Sequence, residues 1–181
     1  ESDDAALLDM GDGVVLFETR TRMNTLGRGV IGALHSALDC VERDGYHGLV
    51  LGNDDSRTFS AGADLTLVAA AAQAGDWKAL EESIRTFQDT SMRLRQSPFP
   101  VVAAPFGLAL GGGCEFSLHC DLVQAHAELY MGLVEVGVGV IPGGGGTKEL
   151  LFRFTRELEP YAEADPFEAV KRAFQLIALG Q

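Results

Sequence analysis

Residues 100–115 read Pro100-Val-Val-Ala-Ala-Pro-Phe-Gly-Leu-Ala-Leu-Gly-Gly-Gly-Cys-Glu115. The apolar run Val101-Val-Ala-Ala-Pro105 predicts a short buried strand. A glycine-rich turn, Gly107-Leu-Ala-Leu-Gly-Gly-Gly113, leads from it into a short helix expected over residues 114–120. Strand, tight turn and helix together form the repeating unit of a parallel α/β fold.

The same alternation runs outward in both directions. Upstream, residues 13–19 read as a strand, and Val30, Leu34, Leu38 and Val41 recur at helical spacing between residues 26 and 44. Gly48-Leu-Val-Leu-Gly52 is a second buried strand, the polar stretch 53–60 reads as a loop, and alanine-rich 62–74 as a helix. Asp76 is placed to cap a long helix carrying Trp77, Leu80, Ile84, Phe87 and Leu94, which Pro98 and Pro100 end. The lone Trp77 reads as a core residue or a cover for a site. Downstream, small strands are expected at 122–124 and 129–131, and a helix over 147–154 opened by Gly143 to Gly146. Asp165-Pro166-Phe167-Glu168 reads as an N-cap, a proline at the first helical position and an acid in the first turn. The helix it opens is expected to bury Val170, Phe174 and Ile177. No internal boundary interrupts the pattern, so residues 1–181 read as one domain.

Composition excludes several partners. With 14 basic against 26 acidic residues the net charge is −12, which argues against nucleic acid or an anionic membrane as the main partner. It leaves room for an anionic small molecule held by local amides. No apolar run is long enough to span a bilayer. Cys40, Cys114 and Cys120 form no CxxC pair, and their odd number fits reduced thiols in a cytoplasmic compartment. The chain opens at Glu1 without Met and stops at Gln181, which reads as a piece of a longer protein.

The glycine clusters fail two phosphate-binding patterns. Gly137-x-Gly139 is followed by Pro142 where a dinucleotide fingerprint needs its third glycine. Gly146-Thr147-Lys148 has the wrong order for a P-loop. The cluster at 111–113 instead stands between a strand and a helix, where unpaired N–H groups and the positive end of the dipole meet a developing oxyanion well. The turn Ser60-Ala-Gly-Ala-Asp64 is a second source of such amides, and spacing alone leaves their convergence open.

Two carboxylates stand out. Glu115 lies among Gly113, Cys114, Phe116 and Leu118, and Glu135 in Met131-Gly-Leu-Val-Glu-Val-Gly-Val-Gly-Val. A carboxylate in such surroundings must find a partner, protonate or serve chemistry. One such residue is as readily a buried structural glutamate; two tied to glycine turns favour an acid/base pair. The spacing of His119 and His126 with Cys114 and Cys120 matches no zinc pattern, and His119 reads as a satisfied core histidine. Asp121 is expected to close a helix or pin a turn. Ser60 lacks a hydrolase nucleophile's Gly-x-Ser-x-Gly context.

At these residues the chain resembles the crotonase (enoyl-CoA hydratase/isomerase) family. The resemblance rests on Phe59-Ser-Ala-Gly-Ala-Asp64, the stretch Pro100 to Glu115, Cys120-Asp121, Glu135, and Gly139-Val-Ile-Pro-Gly-Gly-Gly-Gly-Thr147, in that order. Residues 131–150 also look like the hydratase portion of fused 3-hydroxyacyl-CoA dehydrogenases. The resemblance implies a Clp-protease-like spiral of ββα units and hydration of 2-enoyl-CoA thioesters in fatty-acid β-oxidation. Glu115 and Glu135 would be the catalytic pair, Ala63 and Gly112 the oxyanion-hole amides, and Ala61, Asp64 and Leu65 neighbours of the CoA moiety. It implies no cofactor beyond the substrate's own CoA, no metal, and a homotrimer or hexamer. Relatives that isomerise a Δ3 double bond keep only the later glutamate, here Glu135. An isomerase, or a non-catalytic acyl-CoA-binding domain of a larger protein, is thus the alternative. Three departures bear on acyl specificity and assembly. Val134 stands where the family often has proline, the segment 152–165 is longer and more acidic, and the C-terminal trimerisation helices are missing.

Overall fold

The computed structural model describes residues 3–161 and 163–179. The readings placed on Glu1 and Gln181 fall outside that range. Among the described residues, eight strands and six α-helices follow in the order β1 (Ala5–Asp9), β2 (Val14–Thr19), α1 (Arg28–Asp44), β3 (Gly48–Gly52), β4 (Thr58–Ser60), α2 (Leu65–Ala74), α3 (Trp77–Arg95), β5 (Val101–Ala103), β6 (Leu108–Leu110), α4 (Gly112–His119), β7 (Leu122–Val123), β8 (Tyr130–Gly132), α5 (Gly146–Leu158) and α6 (Phe167–Leu179). Short 3-10 turns occupy Arg22–Asn24 and Glu135–Val138.

The strands divide between two sheets. One has the order β1-β2-β3-β5-β7, parallel except for the β1–β2 pair, and the other the order β4-β6-β8, parallel throughout. Consecutive strands β3 and β4, β5 and β6, β7 and β8 each send their first member to the larger sheet and their second to the smaller. A helix follows each pair, so the chain winds as a spiral of ββα units.

Period-2 alternation builds the core. The register aligns Val15, Leu49 and Val101 in one row across the large sheet, and Phe17, Leu51 and Ala103 in the next. All six are buried, and the α1 stripe Val30, Leu34, Leu38 and Val41 joins the same cluster. Each fully buried Leu or Val here contributes about 1.5–3 kcal/mol relative to exposure. The long helices begin and end where local chemistry dictates. The Asp76 carboxylate accepts the Ala79 N–H at 3.0 Å, and Gly45 and Gly75 close α1 and α2 in the left-handed conformation.

Five expectations are corrected. Strand β1, absent from the sequence reading, pairs antiparallel with β2. Residues 58–60 are strand β4, and residues 108–110 of the supposed glycine turn are strand β6. Both are three-residue strands flanked by polar or glycine residues, too short for periodicity to register. Trp77 is 64% exposed on the first turn of α3, so it is no core residue. In α6 the buried residues are Ala169 and Ala173, while Ile177 is half-buried and Val170 and Phe174 are 42% and 68% exposed. The helix lies against α5 and the Glu135 turn, a close approach that small alanines permit.

Candidate active site

Strands β4, β6 and β8 run parallel and side by side, so the turns leaving their C-terminal ends are neighbours. Those turns carry residues 60–64, the Gly111–Gly113 cluster and Glu135 respectively.

The first turn is braced from behind. Buried Asn24, at φ 52°, donates its side-chain N–H to the Thr58 carbonyl at 2.8 Å. The Ser60 hydroxyl donates to the Asn24 carbonyl at 2.7 Å and accepts the Gly62 N–H at 3.1 Å. Ser60 is therefore spent on structure, and the Ala61 N–H is taken by the Met23 carbonyl. Asp64 caps α2, its Oδ1 accepting from the Thr66 amide at 2.9 Å and the Thr66 hydroxyl at 2.6 Å. These bonds hold the Asp64 carboxyl below the usual carboxylate range. Leu65, next in chain, is 46% exposed.

Glycine is required where the first two turns meet. At Gly62 (φ +84°) a Cβ would stand 2.7 Å from the Leu110 carbonyl oxygen and 2.8 Å from the Gly112 nitrogen. A Cβ on Gly112 would stand 3.4 Å from the Ala63 nitrogen. The expected amide pair, Ala63 and Gly112, is thus brought together. Neither amide enters the backbone hydrogen bonds of these turns among the described residues. Gly112 opens α4, where the helix supplies no partner.

Glu115 sits in the first turn of α4, 3% exposed. Both its oxygens accept the Gly144 N–H, at 2.9 and 3.0 Å, and Oε1 also accepts the Gly146 N–H at 2.9 Å. Burial raises its pKa, opposed by the Gly146 and Gly144 hydrogen bonds. The second glycine cluster is therefore a cradle for this carboxylate as well as a helix start. A side chain at Gly144 would collide with Oε2 of Glu115 and the Phe87 ring. That ring stacks on Phe116, centroids 4.5 Å apart.

Glu135 approaches from the β8 side, half-buried at the start of its 3-10 turn. Its Oε1 lies 3.1 Å from where a Gly111 Cβ would stand, and its Oε2 is buried without a hydrogen-bond partner. Burial pushes its pKa up to about 7, with the nearby charge of Glu115 adding to the rise. Two carboxyl groups thus sit within electrostatic reach of one another in unlike settings: one wrapped by N–H donors, the other with a buried, unpartnered oxygen.

Other singled-out residues have structural partners. The Asp121 carboxylate accepts the Val101 N–H at 2.8 Å and pins the start of β5. The His119 Nδ1–H donates to the Glu115 carbonyl at 2.7 Å, and burial lowers its pKa, as suits a neutral core histidine. Burial pushes the Cys114 and Cys120 thiols up to about 12, leaving them inert. The sequence reading missed Glu149, a carboxylate 1% exposed behind the Glu115 cradle. Its helical neighbours look like an ordinary charged surface, and its partner Arg95 lies on a different helix. No helix among the described residues is long and apolar enough to cross a membrane.

Known proteins agree with this architecture. A chain of Bacillus subtilis, a probable 3-hydroxyacyl-CoA dehydrogenase, is 42% identical over 177 residues, covering 98% of this chain and 22% of its own length. The fatty acid oxidation complex subunit alpha of Aliivibrio fischeri is 36% identical over 133 residues, 71% of this chain and 19% of that one. The chain spans about a fifth of the length of these curated relatives. The crystal structure of an enoyl-CoA hydratase from Bacillus anthracis superposes with a TM-score of 0.81 at 28% identity, covering 98% of this chain and 63% of that one. The model of the enoyl-CoA hydratase/isomerase family matches residues 11–157, from the turn before β2 through α5. That span takes in all three site-bearing turns and the glycine cradle, and the chain belongs to the enoyl-CoA hydratase/isomerase (crotonase) family.

Proposed function

We propose that this chain adds water across the double bond of 2-enoyl-CoA thioesters to give 3-hydroxyacyl-CoA, as a step of fatty-acid oxidation. The observation that carries this reading is the unlike pair of carboxyl groups beside two unused backbone amides. With the thioester oxygen at the Ala63 and Gly112 amides, negative charge arriving there meets fixed N–H dipoles. Glu115, whose oxygens already accept N–H bonds, is the ionised partner and takes a proton from the attacking water. The water oxygen bonds to the β-carbon, and the electron pair of the C=C bond moves into the thioester as an enolate. Glu135, its pKa raised to about 7, is the protonated partner and gives its proton to the α-carbon as the enolate collapses. One water is consumed; Glu115 ends protonated and Glu135 ionised, and exchange with solvent resets both. We assign Ala61, Asp64 and Leu65 to contact with the CoA moiety. Since the Asp64 carboxylate is engaged in capping, contact there is with backbone and the Leu65 side chain.

The product, a 3-hydroxyacyl-CoA, is the substrate class in the Bacillus subtilis relative's name. That supports a dehydrogenase as fused or partner domain. The exposed apolar residues Val170, Phe174 and Phe152 support assembly into a trimer or hexamer. The test is loss of the conjugated absorbance of crotonyl-CoA on mixing with the full encoded protein. No loss, with a 3-enoyl-CoA converted to the 2-enoyl isomer, assigns the chain to isomerisation. Loss with neither glutamate needed overturns the mechanism.

A further inference from the structure

The first turn of α5 holds Glu115, and it is itself held. Glu149 stands one turn further along α5, its N–H bonded to the Gly145 carbonyl at 3.0 Å. Its carboxylate is 1% exposed, and its Oε1 accepts from Nη1 of Arg95 on α3 at 2.6 Å and Nε of Arg153 at 3.1 Å. Lys148 Nζ lies 3.6 Å and His119 Nε2 4.0 Å from Oε2, which has no hydrogen bond of its own. Arg153 reaches on to the Leu118 carbonyl of α4 at 2.5 Å. Because the His119 Nδ1–H is committed to the Glu115 carbonyl, its Nε2 lone pair faces Lys148 Nζ at 3.4 Å. One buried carboxylate thus ties three helices together immediately behind the cradle.

We propose that Glu149 is a positioning residue: clasped by Arg95 and Arg153, it fixes the start of α5 against α3 and α4 and so holds the Gly144 and Gly146 amides on the Glu115 carboxylate. This rests on the reading of Glu115 as a proton-transfer group. A buried ion pair is a poor device for stability alone, since apolar residues of equal volume often serve as well. Its use here follows from its direction. Arg95 arrives from α3, Arg153 and His119 link to α4, and the peptide bonds leading to Gly144 and Gly146 begin one helical turn away. A misplacement near 1 Å of a group holding the reacting centre costs about a hundredfold in rate.

The test is Glu149→Gln in the full encoded protein, which keeps the shape and removes the anion facing Arg95, Lys148, Arg153 and neutral His119. The expected result is a fall in kcat for crotonyl-CoA hydration of about 10-fold to 100-fold with KM little changed. The acid limb of the kcat/KM profile should also move to higher pH. That sign follows because the Gly144 and Gly146 bonds favour the ionised form of Glu115, and loosening them favours its protonated form. The other titratable groups near Glu115 are Glu135, the neutral Cys114 thiol and His119 on its carbonyl; burial keeps His119 neutral, and losing the Glu149 charge, which raises its pKa, lowers it further. Should Glu149→Gln fail to fold, Arg95→Gln leaves the carboxylate with Arg153 and Lys148. It should show a smaller fall in kcat with the same direction of pH movement, and Arg95→Lys should recover most of it. Folded variants with parental kcat and parental acid limb, differing only in melting temperature, overturn the proposal. A crystal structure of Glu149→Gln separates this from the functional reading. If the parent does not hydrate crotonyl-CoA, amide-to-Glu115 distances lengthened from 2.9–3.0 Å still sustain the positioning role, and unchanged ones remove it.

Discussion

Gly144→Ala places a methyl group where Oε2 of Glu115 and the Phe87 ring already are, at 2.5 Å from Cδ1 of that ring. Phe87 is wedged between Gly144, Gly112 and Phe116, so it has little room to yield. Overpacking of this kind costs about 1–3 kcal/mol of stability. The functional loss comes from the carboxylate. Pushed off Gly144, Glu115 keeps one of its three N–H contacts, the one to Gly146. A hydrogen bond to a charged group contributes about 1.5–3 kcal/mol, and at 1.36 kcal/mol per tenfold the rate of the ionised-base pathway falls by roughly 10-fold to 100-fold. The loss should be largest at acid pH, because weaker N–H support raises the Glu115 pKa further and leaves less of the ionised form. Initial rates of crotonyl-CoA hydration from pH 5 to 9, with circular dichroism as the fold control, measure both effects. A folded Gly144→Ala protein with parental rates at pH 6 would refute the role assigned to the cradle.

Four further outcomes are expected. Glu115→Gln and Glu135→Gln should each lower hydration by about 10²–10⁴ with the fold intact, read from steady-state rates. Gly112→Pro should lower turnover by about 10²–10³ relative to Gly112→Ala, which adds the same Cβ near Phe87 but keeps the N–H; proline is tolerated at a first helical position, so α4 should survive. Glu135→Gln should raise the melting temperature at pH 8 and leave it unchanged at pH 4. A carboxyl whose folded pKa is raised to about 7 costs stability only once pH exceeds its unfolded value, here on the order of 1 kcal/mol after screening at this half-buried site. Phe174→Asp on the exposed face of α6 should reduce the molar mass seen by light scattering without lowering the stability of the monomer fold.

The sequence makes the candidate residues visible, because glycine and carboxylate are informative in apolar surroundings. Glu115 and Glu135 stand out for lack of polar neighbours, and Val101–Ala103 and the helix opened by the triple glycine are both legible, although strand β6 lies between them. What stayed hidden depends on contacts distant in sequence. Strands β4 and β6 owe their existence to pairing with each other and with β8, not to any alternation of their own. Asp64 looked like a ligand neighbour and is first of all a helix cap, since the sidechain-to-backbone bond competes for the same carboxylate. Large apolar residues at helical spacing, such as Val170 and Phe174, ordinarily mark a buried stripe; here Ala169 and Ala173 fill it and the large residues face outward. Glu149 carried no signal at all, as its meaning comes from Arg95, more than fifty residues upstream.

The three-stranded sheet has a consequence for how such a protein can change. Its strands deliver the Ala63 turn, the Gly112 turn and Glu135 from adjacent positions, a strand spacing of about 4.8 Å apart. The connections between those strands, however, are free to differ: α2 and α3 fill the one from β4 to β5, while the compact α4 fills the one from β6 to β7. Substitutions on the outward face of the long connection, at Leu65, Leu67 and Trp77, leave the strand spacing untouched, whereas Phe87 and Arg95 on its inner face reach the Glu115 cradle and Glu149. The outer face of the long connection can therefore diverge while the three strands keep their turns side by side.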